Sequence, residues 1–541
     1  MRPLKKSTEK FKILLSGMLL VLLLSPDSLL QAQVQVQQTE RYEIIQKNSD
    51  DYFTIISLEE EGLALIREKD KYKGNKKLWE IIILNIDLRE KSKFEIEINQ
   101  RNTLLGYEID KGLLYLLFRA GETTKNSMEL VEINTADGME KKRFEINPEL
   151  DFKVTHFNKV GPNIILGGYV TNEPAILLFE TAANSIKVIP GFFQKDNELV
   201  ELRVNQNGTF NSVLIDRSLR TERKLVYKTF DASGNLLLED IVPIEEDKSL
   251  QNSISSSLER EELVLLGTWG EKQGKQSLGF FSLAVDPFNQ QKINYFHFGM
   301  MDHFLDYLNP KRAEKIKEST RDAILDGRKP SFTSYVMPFK VEETSQGFLM
   351  LAEVYNPSST VNPYYNNPYG YPNYGNPYYY YNPFWPGYYP GMRMYRPYAY
   401  GDNIRNNDNI KLYETVVAAF DPAGNLMWDQ SIMLDDLKRP ALEQVSDFYT
   451  ENNHLYFLYK KESDFKIKSI SLEAGEVTER TEKIKLMDPA EEIRSEKELE
   501  DGVRHWIGNT FYLWGYQTVR NPENKGNRVR DVFYINKIVV N

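Results

Sequence analysis

Beyond residue 50 the chain repeats one pattern: a mixed or alternating apolar run, a short polar or glycine turn, then a second run that is almost continuously apolar. It recurs eight times, as YFTIISL with GLALIR (52–67), TLLGYEI with GLLYLLFR (103–119), FKVTHF with IILGGYV (152–170), LVELRV with FNSVLID (199–216), SISSSL with LVLLGTW (253–269), SYVMPFKV with GFLMLAEVY (334–355), VSDFY with LYFLYK (445–460) and GVRHWI with FYLWGYQ (502–517). Such runs, bounded by turn residues, predict strands paired as hairpins. Gly62, Gly112, Asn163, Gly208, Gly347, Asn453 and Asn509 mark the corners, where glycine and asparagine tolerate a positive φ. Only the fifth pair turns through charged residues.

A third and a fourth strand follow, as in MELVEI and RFEI (128–146), KLVYKTF and LLLEDIV (224–242), or YETVVAAF and LMWDQSI (413–432). Four antiparallel strands per unit of about 50 residues predict an all-β fold, a β-propeller of eight four-stranded blades. A seven-bladed ring or two smaller β domains are the alternatives. In the eighth unit DVFYINKIVV (531–540) supplies the third strand and no fourth follows it. The orphan stretch Val34–Ile45, VQVQQTERYEII, is expected to complete that blade and so pair two edges otherwise left open.

Two insertions interrupt the pattern. In a four-stranded blade the turns between strands two and three, and the links from strand four to the next blade, share one face of the ring. Both insertions fall there. The first, 299–333, contains a predicted helix: Asn309 as cap, Pro310 at the first position, Gly327 at the C-terminal turn and Pro330 beyond it. Its apolar stripe is Ala313, Ile316, Ala323 and Ile324. The second, 356–401, is a low-complexity loop rich in Tyr, Pro, Asn and Gly. From Tyr355 to Tyr400 lie 15 of the chain's 32 tyrosines and nine of its 24 prolines, with Arg393 and Arg396 as the only charges. Proline removes backbone donors and strand alternation is missing, so this segment is expected to form an adhesive loop and not a core. Its aromatics Tyr378, Tyr379, Tyr380, Tyr381, Trp385, Tyr388 and Tyr389 are the candidate partner-binding residues, because flat rings carrying a hydroxyl suit stacking on sugars or proline-rich peptides.

Composition narrows the chemistry. The 541 residues include no cysteine and only 5 histidines, which excludes disulfides, thiolate chemistry and lipid attachment through cysteine. Arg2, Lys5, Lys6, Lys10 and Lys12 precede an apolar run, Ile13 to Leu24, too short to span a bilayer and broken by Pro26. Residues 1–32 are therefore expected to be a signal peptide cleaved after Ala32, an uncleaved anchor being the alternative, and 33–541 a single propeller domain, periplasmic or extracellular. The net charge of −11 is a poor basis for nucleic-acid binding. Charge is uneven, however: the loops between second and third strands are basic as a set, and the links between blades, above all the acidic run 488–501, offset them.

Short catalytic motifs are missing: no Gly-x-Ser-x-Gly, no His-Glu-x-x-His, no phosphate loop and no Asp-x-Asp-x-Asp-Gly. His297, Asp302, His303 and Asp306 gather two histidines beside carboxylates, but without a recognised metal spacing. No catalytic residue, metal or cofactor is expected.

Residues 419–428, AFDPAGNLMW, resemble the Ala-x-Asp-x-x-Gly-x-x-x-Trp motif of pyrroloquinoline quinone-type repeats, through Ala419, Asp421, Gly424 and Trp428. That superfamily of eight-bladed propellers includes quinone dehydrogenases and a non-catalytic assembly factor. The match covers one blade; FDASGNLLLED (230–240) keeps Asp231 and Gly234 but has Leu238 in place of the tryptophan. In the structural reading, Asp and Gly make a turn and Trp packs between blades. The chain as a whole also resembles secreted bacterial propellers without an established activity. The leading expectation is a non-catalytic exported scaffold binding a protein or glycan through the inserted face. The alternative is a carbohydrate-active or quinone-dependent enzyme with its site in the central funnel.

Overall fold

The computed structural model describes residues 35–541 apart from 121–126, 219–221, 257–262, 273, 275, 287, 290, 357–392, 395–409, 440–441, 498–500 and 524–528. Eight antiparallel sheets form the blades: 54–99, 102–146, 152–189, 197–244, 248–297, 335–439, 446–483, and an eighth built from 492–540 together with Val36–Ile45. The seven-bladed alternative is thereby excluded.

The apolar core lies between blades. Among the described residues eight hydrophobic clusters occur, one for each seam, from Ile56, Trp79, Leu104 and Phe118 between blades one and two to Tyr42, Phe53, Trp506 and Tyr516 between blades eight and one. Successive side chains of a strand point to opposite faces, and each face of an inner strand meets a neighbouring blade. That is why second strands such as Leu113–Ala120 are apolar at nearly every position, as expected of strands buried on both faces. Outer strands such as Glu140–Ile146 carry exposed charges, which protect their free edges.

The ring is closed by both ends of the described chain. Val36–Ile45 pairs antiparallel with Val529–Val540 from Val36↔Val540 to Ile45↔Val532, and Gln35 and Asn541 exchange backbone hydrogen bonds of 2.9 and 2.8 Å. Gly62, Gly112, Gly208, Gly347 and Asn453 have positive φ at their corners, as expected. At the third and eighth hairpins the positive φ falls instead on Gly161 and Gly508, ahead of Asn163 and Asn509: a glycine was available, and it takes the left-handed position more readily.

The first strands of blades two to six share one irregularity. Each has a β-bulge, at Leu105, Thr155, Val200, Gln251 and Phe339, read from the register shift on either side. A bulge re-aims the following side chain. The residues that follow are Gly106, His156, Glu201, Asn252 and Lys340, and all five are buried.

Both insertions emerge on the face expected. The first joins the fourth strand of blade five (Asn294–His297) to the first strand of blade six, and the second separates Gly347–Asn356 from Ile410–Phe420. The helix α1 runs Pro310–Leu325, capped by the Asn309 side chain, which accepts from the Lys311 amide at 3.1 Å. Gly327 has φ +68° and Arg328 N donates to Ala323 O at 2.7 Å, which ends the helix. One position of the expected stripe is misplaced. Ile324 is 44% exposed, and Thr320 takes the buried place, because Gly299 lets the helix approach so closely that a Cβ there would meet the Thr320 hydroxyl.

Candidate functional site

The segment that leads into α1 is a strap laid across the seam between blades five and six. Phe298 and Phe304 stack face to face at 3.9 Å, and both meet the edge of Phe280. With Met301 and Leu305 they extend the inter-blade core outward, so the strap is packed structure. Its polar anchor is Asp429 on the fourth strand of blade six. The two carboxylate oxygens accept the backbone amides of Asp302 and His303 at 2.8 and 2.7 Å. Beyond it, Tyr307 of the strap stacks on Tyr413 at 5.4 Å and 18°. Tyr413 lies near the start of Ile410–Phe420, the strand that follows the second insertion, and Asn356, where that insertion leaves, donates to the Tyr413 hydroxyl at 3.5 Å. The two insertions therefore share a root on blade six.

The aromatics Tyr378, Tyr379, Tyr380, Tyr381, Trp385, Tyr388 and Tyr389 lie outside the described residues, as does the proposed signal peptide. His303 and Asp306 come together, Nδ1 to Oδ2 at 3.0 Å. His297 packs edge-on against Trp269 at 4.9 Å, and burial, with Lys248 nearby, lowers its pKa. Among the described residues no group of three or more metal-ligating side chains is placed to hold an ion.

The quinone-type sequence forms a turn. Asp421 Oδ1 accepts the Asn425 amide at 2.8 Å, and Gly424 has φ +80°. Gly424 lies against Ser282 of blade five, whose hydroxyl donates to the Gly424 carbonyl, and Trp428 packs on the cluster between blades six and seven. FDASGNLLLED makes the same turn, with Asp231 accepting from Ser233 and Asn235. The motif is thus a device for joining blades.

Polar side chains join neighbouring blades across several seams. Leu199 N donates to Tyr169 Oη at 3.0 Å, Ser255 N to Glu201 at 2.8 Å, Val445 N to Glu353 at 2.8 Å, His505 N to Asp447 at 2.9 Å and Phe53 N to Tyr516 Oη at 2.5 Å. Each crosses one seam in the same direction. Burial pushes the Glu201 carboxyl up to about 7, opposed by Arg203, and pushes Glu353 up to about 8. Between blades six and seven Lys340 donates to Asp447 at 2.9 Å and also pairs with Glu342. Burial works against both charges of the pair. Their mutual attraction wins, so Lys340 titrates above the ordinary lysine range and Asp447 below the carboxylate range. His505 stacks on Tyr449 at 5.2 Å beside this pair. Sequence reasoning missed these residues, although a signal existed: one or two charges within otherwise apolar strands, as in LVELRV, MPFKV, LAEVY and VSDFY.

No protein family and no curated protein matches the chain. Solved structures similar to it include the polysaccharide lyase Uly1 (10% identity, 93% of this chain and 100% of that one, TM-score 0.37) and the WD40 domain of SCAP from fission yeast (8%, 94% and 98%, 0.43). The β-propeller domain of the Trilobed protease from Pyrococcus furiosus is another (12%, 80% and 95%, 0.31). At such identities likeness reaches no further than the fold, and at these TM-scores it carries no argument about activity. What the chain can be assigned to is an architecture: an eight-bladed propeller with two insertions rooted together on blade six.

Proposed function

We propose that this chain is a non-catalytic exported scaffold, periplasmic or extracellular and not a lipoprotein, that binds a protein or glycan of the cell envelope through its inserted face. The observation that carries this reading is the shared root. The Tyr307–Tyr413 stack and the Asp429 anchor fix the strap beside the point where a tyrosine-rich segment leaves and re-enters the ring. Two insertions that leave the ring beside one another can form a single presenting surface, to which tyrosine is well suited, although Arg393–Met394 of the second pairs with Gly106 and Tyr107 of blade two. The carboxylates Glu201, Glu353 and Asp447 add support, since each is engaged by an amide of the next blade and so serves to hold the ring together.

The test replaces Tyr378, Tyr379, Tyr380, Tyr381, Trp385, Tyr388 and Tyr389 by serine and compares pull-downs from envelope extract. Loss of a component that the parent recovers is the expected result. Identical recovery by parent and variant would reject the reading.

A further inference from the structure

The strap rests on a nest of acids. Glu414, on the third strand of blade six, is fully buried and faces the Tyr307 amide and the Ser431 hydroxyl, with Asp306 and Asp429 as its charged neighbours. Asp306 Oδ2 is 3.5 Å from Ser431 Oγ and 3.0 Å from His303 Nδ1. Two of the acids belong to the blade, Glu414 and Asp429, and one to the strap, Asp306. Cations reach the nest from two further elements: Lys468 of blade seven donates to Ser431 O at 2.5 Å, and Lys317 of α1 to Asp302 O at 2.7 Å. Farther out, Glu479 faces Lys468 and Arg312 faces Tyr307. Neither lysine bonds a carboxylate of the nest through these contacts. Glu414 and Asp429 are buried together, with the exposed Asp306 beside them, and the two buried acids cannot both ionise without repelling one another, so docking the strap favours the state in which a proton is held.

We propose that the strap is a proton-operated latch: it docks on blade six with Glu414 protonated and His303 charged against Asp306, and releases as those protons leave, drawing Tyr307 away from Tyr413. In the reading of the inserted face as a binding surface, on which the latch's biological role rests, this regulates how the two insertions are held together.

The electrostatics agree in sign. Burial, then Asp306 and Asp429, raise Glu414 well above the carboxylate range; burial raises Asp429 against the two amides that it accepts. A carboxyl raised in the docked state contributes its stability below the ordinary carboxylate range and loses it as pH rises through the raised value. The hydrogen bond to Asp306 raises His303, whose contribution is likewise present below the ordinary histidine pKa and lost as pH rises. Lys468 is lowered by burial and works in the opposite sense; its hydrogen bond is to the Ser431 carbonyl of blade six, and Asp306 of the strap, Glu479 and Glu414 offset part of that lowering.

The test is hydrogen exchange of the peptide 298–309 in the full chain at pH 5, 7 and 9, corrected for intrinsic rates. It needs no partner, so its failure is distinct from failure of the binding reading. Strap protection is expected to fall at least tenfold (an estimate on the order of 1.4 kcal/mol of local stability) between pH 5 and pH 9. Peptides across Glu173–Glu180, the third strand of blade three, which is paired on both sides, serve as the internal control and are expected to change far less. Glu414→Gln is expected to keep the strap protected at pH 9. Parallel profiles for strap and control in the parent would overturn the latch even if the variant does not fold, and so would an unchanged slope in a folded Glu414→Gln.

Discussion

Glu353, on the second strand of blade six, accepts the backbone amide of Ser446, on the first strand of blade seven, at 3.2 Å. The acid is fully buried and its pKa is raised by burial to about 8. Its contribution to stability is complete below the ordinary glutamate pKa and is lost as pH rises from there through about 8, up to roughly 5 kcal/mol. Glu353→Gln keeps an oxygen for the amides and removes the titration. Urea unfolding at pH 5 and pH 9 is expected to show parent and variant similar at pH 5 and the variant more stable at pH 9. A constant difference between them would show that the group does not titrate in this range.

The Lys340–Asp447 pair has the opposite linkage. Asp447 titrates below the carboxylate range, so its contribution is present above that range and lost as pH falls through its own pKa. Removing Asp447 leaves the buried Lys340 with Glu342 alone and takes the acceptor from the His505 and Phe448 amides. Asp447→Ala is expected to cost about 3–5 kcal/mol near neutral pH by denaturant unfolding. A loss below about 1 kcal/mol would mean that water reaches the lysine.

Closure depends on Val36–Ile45. Arg41 lies over the Tyr534 ring at 4.2 Å and donates to Gln517 and Asn536, and Tyr42 donates to Glu90 of blade one at 2.6 Å. Deleting 33–45 is expected to lower the melting temperature and to produce oligomers through the exposed edge of Val529–Val540. A variant that melts like the parent and remains monomeric in light scattering would contradict this.

Export is open to a direct check. Protein recovered from the envelope or medium is expected to begin near Gln33 when its N-terminus is sequenced. A chain that still begins at Met1 would contradict the signal-peptide reading.

Blade number, closure and the position of both insertions were legible because they depend on features written locally: hydrophobic period, turn residues and caps. Even there, Gly161 and Gly508 took corners assigned to Asn163 and Asn509, since two turn formers within one short turn leave the choice to backbone geometry. The seams were not legible. Glu201 meets Ser255 because the bulge at Val200 turns it toward the next blade, Glu353 meets Val445 from inside its strand, and nothing local specifies which amide either will find. The strap was read as a helix with a stripe; its core of Phe298, Phe304 and Leu305 was not singled out, because it alternates with charged residues at no regular period.

The binding claim also says that the second insertion is separate from what holds the ring together. Replacing 356–400 by a short Gly/Ser turn and measuring melting temperature and envelope pull-down side by side tests this most directly. The account expects an almost unchanged melting temperature, because a long connection adds little closure entropy, together with loss of the partner that the parent recovers. Full recovery of that partner by the deletion variant, or a collapse of its melting temperature, would contradict it.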